Sequence, residues 1–191
     1  SAITGANRYR VYKKENGLFG YIGESDTTSF EDDNIAPDLG RTPPITDTSI
    51  TGSNYPAAVG GHEQRLFLAS TSSNPQTVWG SKTGSELDFT FTLPVQDDNR
   101  LKLVLDSNQA QTVRHILGMR DLILLTLSGE FRVRATDDGA LAPSTVFARQ
   151  EGYDGANNAQ PAAISNHVVY CAARGGHVRK LAYEARRAAF E

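Results

Sequence analysis

The chain has 191 residues, of which 39% are hydrophobic and 21% charged, and its formal net charge is −3. This composition is ordinary for a globular protein of one or two domains and excludes a strongly basic chain that would attract nucleic acid as a whole. No apolar run approaches the ~20 residues of a transmembrane helix and no secretory signal opens the chain, so the sequence predicts a soluble protein.

The N-terminal stretch predicts a β-hairpin. Tyr9 and Val11 alternate with polar residues, Asn16-Gly17 has the composition of a tight turn, and the apolar residues from 19 to 22 continue as a second strand. We expect a third short strand over residues 29–31, which the following polar residues end with turn chemistry.

This stretch, GANRYRVYKKENGLFGYIGESDTTSFEDDNI, resembles the middle strands of a fibronectin type III domain. The Y-x-V-Y strand, the second strand ending in I-G and the T-S-F-x-D strand carry the resemblance. It implies a partial fibronectin type III-like β region over residues 1–36. The first strands of such a domain would lie upstream of Ser1, so we expect the chain to be part of a longer protein.

Residues 37–56 hold prolines, glycines and small hydroxyl residues with almost no apolar periodicity. Such a composition is typical of a linker, and it predicts a domain boundary in this segment. Pro43-Pro44 is expected to hold part of the linker in an extended polyproline form.

A strand-turn-strand pattern occurs three times in residues 57–191, each time after a short apolar strand. The first two copies are followed by a further strand. Four antiparallel strands that recur about every fifty residues predict the blades of a β-propeller, in which radial stacking buries the second face of each sheet. The predicted strands are Ala57–Val59, Leu66–Ala69, Thr77–Trp79 and Leu101–Leu105, then Val113–Ile116, Leu122–Leu125, Glu130–Arg134 and Thr145–Arg149, then Ala162–Ile164, Val168–Cys171 and His177–Leu181.

The third copy is expected to lack its fourth strand, because no further apolar strand follows its hairpin before Glu191. The last eleven residues, LAYEARRAAFE, have high helix propensity and predict a helix instead. The fold prediction is therefore an all-β chain with two complete blades, one incomplete blade and a C-terminal helical tail. Propellers close with about four to eight blades, which again indicates part of a longer protein. The unshielded third sheet should self-associate through an edge at residues 167–172.

From Pro56 to Glu184 the chain resembles the propeller-containing tail proteins of tailed bacteriophages and prophages, of the tail tubular protein B or nozzle type. The ordered motifs P-A-A-V, Q-R-L-F-L-A-S-T, N-P-Q-T-V-W-G-S-K-T-G, D-F-T, D-D-N, L-x-L-x-L-D-S-N-Q and D-L-I-L-L-T-L-S-G-E-F-R-V carry the resemblance. It implies a non-enzymatic structural protein around the genome-delivery channel of the virion tail, assembled in the bacterial cytoplasm. The implied partners are other tail subunits, further copies of the chain in the virion and non-specific DNA in the channel, with no membrane.

Motifs that carry enzymatic chemistry are missing from the sequence. There is no nucleophile elbow, phosphate-binding loop or dinucleotide fingerprint, so we predict no catalytic and no cofactor-binding residue. The four histidines have no metal-ligand spacing, and no metal site is predicted. These histidines are His62, His115, His167 and His177.

Three pairs of adjacent aspartates keep a second function open, that of a carbohydrate-binding or glycan-cleaving propeller. Glycosidases need two carboxylates across the scissile bond, whereas adjacent aspartates in loops are usually turn formers. A calcium site in these loops lacks the usual ligand spacing. The pairs are Asp32-Asp33, Asp97-Asp98 and Asp137-Asp138.

Three further residues have two interpretations each. Trp79 either packs between blades or stacks on a base or sugar, and Arg132 and Arg134 either line a channel or are ordinary exposed residues. The only cysteine, Cys171, lies in an apolar strand and is expected to be a buried structural thiol. The Gly- and Asn-rich loop of residues 152–160 suits a mobile or contact-making surface.

Overall fold

The computed structural model describes residues 4–50, 52–107, 109, 111–137, 139–184 and 189–190, with the backbone alone for residues 183–184 and 189–190. This part of the chain consists of antiparallel strands and turns, with a single-turn 3₁₀ helix at Thr48–Ile50. The strands are β1 (Tyr9–Glu15), β2 (Leu18–Ser25), β3 (Ile45–Thr46), β4 (Ala58–His62), β5 (Arg65–Ala69), β6 (Thr77–Gly80), β7 (Thr90–Phe91), β8 (Leu101–Val104), β9 (Val113–Gly118), β10 (Leu122–Thr126), β11 (Glu130–Ala135), β12 (Val146–Gly152), β13 (Ala162–Ile164), β14 (His167–Cys171), β15 (Val178–Glu184) and β16 (Ala189–Phe190).

The chain divides into two compact units. The first comprises Ser1–Thr46 and Thr90–Gln96, and the second comprises Asp47–Phe89 and Asp97–Glu191. The earlier division into residues 1–36, 37–56 and 57–191 stays a prediction. In the part of the chain that the structure describes, no helix is long and apolar enough to cross a membrane.

The first unit contains the predicted hairpin. β1 and β2 pair around a turn in which Asn16 and Gly17 have φ angles of 49° and 87°, the left-handed conformation that a type I′ turn requires. Tyr21 of β2 lies edge-on to Tyr12, with 6.0 Å between the ring centroids. The Arg41 guanidinium lies 4.0 Å from the centre of the Tyr21 ring. β3 and β7 form a second ladder.

The predicted third strand at residues 29–31 is wrong. The Ser25 hydroxyl donates to the carbonyl of Ser29 at 2.7 Å, and Thr27 Oγ1 donates to the same carbonyl at 3.1 Å. These side chains supply local hydrogen bonds that compete with a ladder, and residues 29–31 have no regular secondary structure. Within the predicted linker, Asp38 exchanges backbone hydrogen bonds with Tyr21 at 2.9 and 3.1 Å.

The second unit contains three four-stranded antiparallel sheets in chain order. We call them the first sheet (β4-β5-β6-β8), the second sheet (β9-β10-β11-β12) and the third sheet (β13-β14-β15-β16). In each sheet, neighbouring strands follow one another along the chain, apart from the excursion between β6 and β8 that includes β7. The all-β fold and the strands of the three repeats are confirmed.

The first and second sheets approach most closely at β4 and β9. A Cβ atom on Gly60 would lie 2.8 Å from the Ile116 side chain, and one on Gly118 would lie 2.3 Å from the carbonyl oxygen of Gly61. Only glycine lets the two backbones come so near. The apolar core between these sheets consists of Ala58, Phe67, Ala69, Val78, Leu101, Leu105, Val113, Ile116, Leu122, Leu124, Phe131, Val133, Ala135 and Leu141.

The second sheet is buried on both faces. Leu122 and Leu124 of β10 belong to the core shared with the first sheet, whereas Ile123 and Leu125 belong to a second cluster with Val168 of the third sheet. All five residues of β10 are buried. The continuous apolar run LILLT follows from this position, because alternate residues enter different cores.

The third sheet corrects three predictions about the last part of the chain. Residues 181–184 lie in β15 rather than in a helix, and β16 is the fourth strand that was expected to be missing, with Tyr183 opposite Phe190. Pairing in the sheet overrides the helix propensity of this segment. The predicted helical residues 185–188 and 191 lie outside the described residues. β14 pairs with β13 and β15, so the expected free edge at residues 167–172 is also wrong.

Candidate functional site

A charged pocket of about 100 Å³ lies where β4 ends and β10 begins. Its polar lining consists of one histidine, two carboxylates and two guanidinium groups on four different strands or turns. The turn at Glu63 and Gln64, with φ angles of 46° and 58°, places the first carboxylate. The lining residues are His62, Glu63, Arg120, Asp121, Val133, Arg134, Ala135, Gly139 and Leu141.

Of the four histidines in the sequence, His62 lines this charged pocket. Burial lowers the pKa of His62, although the carboxylates of Glu63 and Asp121 oppose the shift, and its Nε2 lies 3.8 Å from Glu63 Oε1. Glu63 Oε2 accepts a hydrogen bond of 2.8 Å from the backbone amide of Leu141. Burial therefore favours the neutral imidazole, and Glu63 holds Leu141 of the β11–β12 loop.

Arg132 does not line a channel and is not solvent-exposed, contrary to both interpretations made from the sequence. Its side chain is only 3% exposed, with Nε 3.1 Å from Glu151 Oε1 and Nη1 3.7 Å from Asp121 Oδ2. The guanidinium of Arg134 lies 5.2 Å from the centre of the Phe147 ring. Both arginines thus contact groups within the second unit.

The paired aspartates make hydrogen bonds and ion pairs within the second unit. Asp97 Oδ1 accepts a hydrogen bond from Ser144 Oγ at 2.9 Å, Asp98 lies 3.6 Å from the Lys82 ammonium, and Asp137 accepts the amide of Gly139 at 3.1 Å. Asp138 lies outside the described residues.

Asp97, Asp98 and Asp137 do line one shallow pocket of about 380 Å³. Among the described residues, however, no three His, Cys, Asp or Glu side chains are grouped so as to hold a metal ion. In the first unit, Asp32 lies 2.9 Å from the ammonium of Lys13, and that hydrogen bond lowers the pKa of Asp32.

The other three histidines and Cys171 have different positions in the second unit. His115 Nε2 lies 2.9 Å from the carbonyl oxygen of Asn157, and His167 lies at the start of β14. His177 is exposed in the β14–β15 turn. Cys171 is a free, half-buried thiol near the end of β14.

Trp79 is fully buried, as predicted, but it does not belong to the core between the first two sheets. Its indole Nε1 donates to Ser49 Oγ at 3.1 Å. Asp47 accepts hydrogen bonds from Ser49 and lies 3.1 Å from Arg100 and 3.3 Å from Lys102. The 3₁₀ turn thus covers the tryptophan. Phe131 does lie in the core between the first two sheets.

Two groups of polar residues are missing from the sequence-based predictions. The buried guanidinium of Arg65 donates to the carbonyls of Ser81 at 2.6 Å, Asn99 at 2.7 Å and Asp97 at 2.9 Å. The second group joins Tyr170 of β14 to Glu130 of β11. No local motif marks either group, because the partners lie 16 to 40 residues apart in the chain.

An exposed tyrosine marks the end of the second sheet opposite the charged pocket. Tyr153 is 81% exposed and follows β12 in the loop that the sequence marked as a contact surface. Two pockets, of about 360 and 310 Å³, share Tyr153 in their lining. We define the Tyr153 surface as Asp106, Ser107, Gln109, Leu127, Ser128, Gln150, Tyr153, Asp154 and Arg174.

Polar side chains on the Tyr153 surface are held in place by neighbours. Gln150 Oε1 accepts a hydrogen bond from Ser107 at 3.3 Å, and its Nε2 donates to the carbonyl of Gly152 at 3.0 Å. The Asp154 carboxylate lies 3.0 Å from the Arg179 guanidinium. An exposed ring beside fixed amide and carboxylate groups can contact a ligand that has both an apolar face and hydroxyl groups.

Comparisons with known proteins add no relative. The chain matches no protein-family model, and no curated protein matches it significantly. The function is therefore inferred from the residues and their geometry.

Proposed function

We propose that the chain is a non-enzymatic structural component of a bacteriophage or prophage tail, and that its second unit is part of a β-propeller of the nozzle type. The burial of the second sheet on both faces carries this proposal. Sheets that follow one another along the chain and stack face to face are what a propeller requires.

The distribution of charge in the second unit supports a structural role. Arg132 is paired with Glu151, and Arg65 donates to backbone carbonyls, so these buried guanidinium groups stabilise the fold. The first unit, with its β1–β2 hairpin, would be the fibronectin type III-like part of the same tail protein.

In this proposal the chain contacts other tail subunits and further copies of itself in the virion tail, with DNA passing non-specifically through the channel. The sequence motifs listed above support the assignment together with the repeated sheets. Burial of apolar surface would provide most of the stabilisation of such contacts.

Deletion of the encoding gene in its phage or prophage tests the proposal. We expect DNA-filled heads without a complete tail in electron micrographs, and no infectious particles. Peptides of the chain should be found by mass spectrometry in purified wild-type virions. A gene product absent from purified particles, or particles of normal structure after the deletion, would contradict the proposal.

Complementation provides a matched control. The wild-type gene and a variant with the exposed Tyr55→Ala change should both restore tails, whereas Trp79→Ala, which removes a fully buried side chain, should restore fewer. Equal restoration by all three genes would show that the integrity of the first sheet does not matter for assembly.

A further inference from the structure

We propose that the Tyr153 surface binds a glycan, with one pyranose ring stacked on Tyr153. This proposal does not depend on a role in a phage tail. It assigns a ligand class to a surface of which the sequence marked only the loop of residues 152–160 as contact-making.

The exposure of the tyrosine ring is the first observation. Tyr153 is 81% exposed, whereas Tyr170 in the adjacent third sheet is buried and its hydroxyl is hydrogen-bonded. The carbon-bound hydrogens of a pyranose form an apolar face, and burying the ring against them removes apolar surface from water.

The polar groups beside the ring are the second observation. The Gln150 amide is oriented by Ser107 and Gly152, so little conformational freedom is lost when it contacts a ligand. The Asp106 carboxylate lines the same pocket. Planar amides and carboxylates can accept from, and in the case of the amide donate to, neighbouring sugar hydroxyls.

The two pockets provide room for more than one sugar unit. Their volumes of about 360 and 310 Å³ lie at the lower end of the range for small-molecule sites, and both are lined by Tyr153 and Gln109. Asp154 and Arg174 line the second pocket. A linear oligosaccharide could thus contact both pockets with its central unit on the ring.

The charge of the surface favours a glycan over single-stranded nucleic acid, which also stacks on aromatic rings. Binding of a nucleic-acid backbone requires a positively charged groove. Here Asp154 is paired with Arg179, and the remaining charges, those of Asp106 and Arg174, have opposite signs. The phosphates of a nucleic acid would gain no net electrostatic attraction to this surface. The uncharged hydroxyl groups of a glycan do not need such attraction.

The test begins with the full chain on an array of bacterial surface polysaccharides and neutral oligosaccharides. Ligands that bind are then titrated by calorimetry, and the contacted protons are mapped by saturation-transfer NMR. We expect weak binding with the strongest transfer to protons of one pyranose face. Tyr153→Ala should lower the affinity about tenfold, and Tyr153→Phe should retain most of it.

Tyr55→Ala is the matched control, because Tyr55 is 73% exposed and lies outside the Tyr153 surface. It should leave the affinity unchanged, and thermal melting should show that all three variants fold. Absence of binding to every glycan on the array overturns the proposal, as does an equal loss with Tyr55→Ala. Tyr153-dependent binding of oligo(dT) without any glycan binding would assign the surface to nucleic acid instead.

Discussion

The hydroxyl of Tyr170 in the third sheet donates a 2.9 Å hydrogen bond to Glu130 Oε1 in the second sheet, and both side chains are buried. Burial raises the pKa of Glu130, and the hydrogen bond from Tyr170 only partly opposes the shift. Burial and the nearby Glu130 charge also raise the pKa of Tyr170 well above its usual value. The pair gives the contact between the two sheets a directional bond within an otherwise apolar cluster.

The raised pKa of Glu130 predicts a pH-dependent effect of Glu130→Gln. Because the folded state holds the proton more tightly than the unfolded chain, ionisation of Glu130 destabilises the fold as the pH rises above about 4.5. Glutamine keeps an acceptor for Tyr170 without the charge. Urea unfolding should therefore show a gain in relative stability of the variant between pH 4 and pH 7. Glu86→Gln, at an exposed position, is the control for the substitution itself, and a relative loss for Glu130→Gln on going to pH 7 would contradict the prediction.

Adjacent glycines in β4 allow a test of the closest sheet contact. Gly60→Ala should lower the free energy of unfolding by about 1–3 kcal/mol, because its Cβ would lie 2.8 Å from the Ile116 backbone oxygen and side chain. Gly61→Ala is the control, since its Cβ would have no neighbour within 4 Å. Chemical denaturation measures both changes. Equal effects would mean that the two sheets are not packed so tightly at this point.

Trp79→Ala should destabilise the second unit by about 3–5 kcal/mol, the usual cost of removing a fully buried large aromatic side chain. Trp79→Phe should cost less, because it keeps an aromatic ring and loses mainly the hydrogen bond to Ser49. Differential scanning calorimetry measures the effect. Glycan affinity at the Tyr153 surface should stay unchanged in a folded Trp79→Phe variant, and a specific binding defect there would contradict a purely structural role.

Asp47 should contribute to the free energy of unfolding at neutral pH, and this contribution should be lost in acid. Burial alone would raise the pKa of Asp47, but hydrogen bonds from Ser49 and the charge of Arg100 outweigh it and lower the pKa to about 2. The ionised carboxylate therefore stabilises the fold by about 2 kcal/mol above pH 4, and this contribution disappears as the pH falls towards 2. Asp47→Asn should flatten the pH dependence of unfolding in that range. An unchanged slope would show that Asp47 is not the titrating group.

The strands of the three repeats were predictable because apolar residues mark them directly. Residues 122–126 form an apolar strand, and turn residues separate it from the next strand. The prediction of a C-terminal helix is wrong for residues 181–184. Their composition favours a helix in isolation, but pairing in the third sheet makes them part of a strand. The strand predicted at residues 29–31 does not form, because a hydroxyl side chain donates a hydrogen bond to the backbone of this segment.

The polar contacts were not predictable from the sequence. Arg132 is buried because it pairs with Glu151 and Asp121. These partners lie outside its own strand, so the sequence of that strand does not reveal the burial. Tyr153 lies in a loop that the sequence marked as a contact surface, but its pockets arise only when residues distant in the chain meet, among them Asp106, Leu127 and Arg174.

The Arg65 guanidinium has a mechanical consequence. The chain passes between the two units at Thr46–Asp47, at Phe89–Thr90 and again at Gln96–Asp97, so three covalent crossings join them. Arg65 binds the carbonyls of Ser81 and Asp97, before and after the excursion that contains two of these crossings. A proteolytic cut in residues 37–56 would leave residues 90–96 of the first unit covalently joined to the second unit at both ends, and tension on this segment would load the hydrogen bonds of Arg65 as well as the β6–β8 ladder.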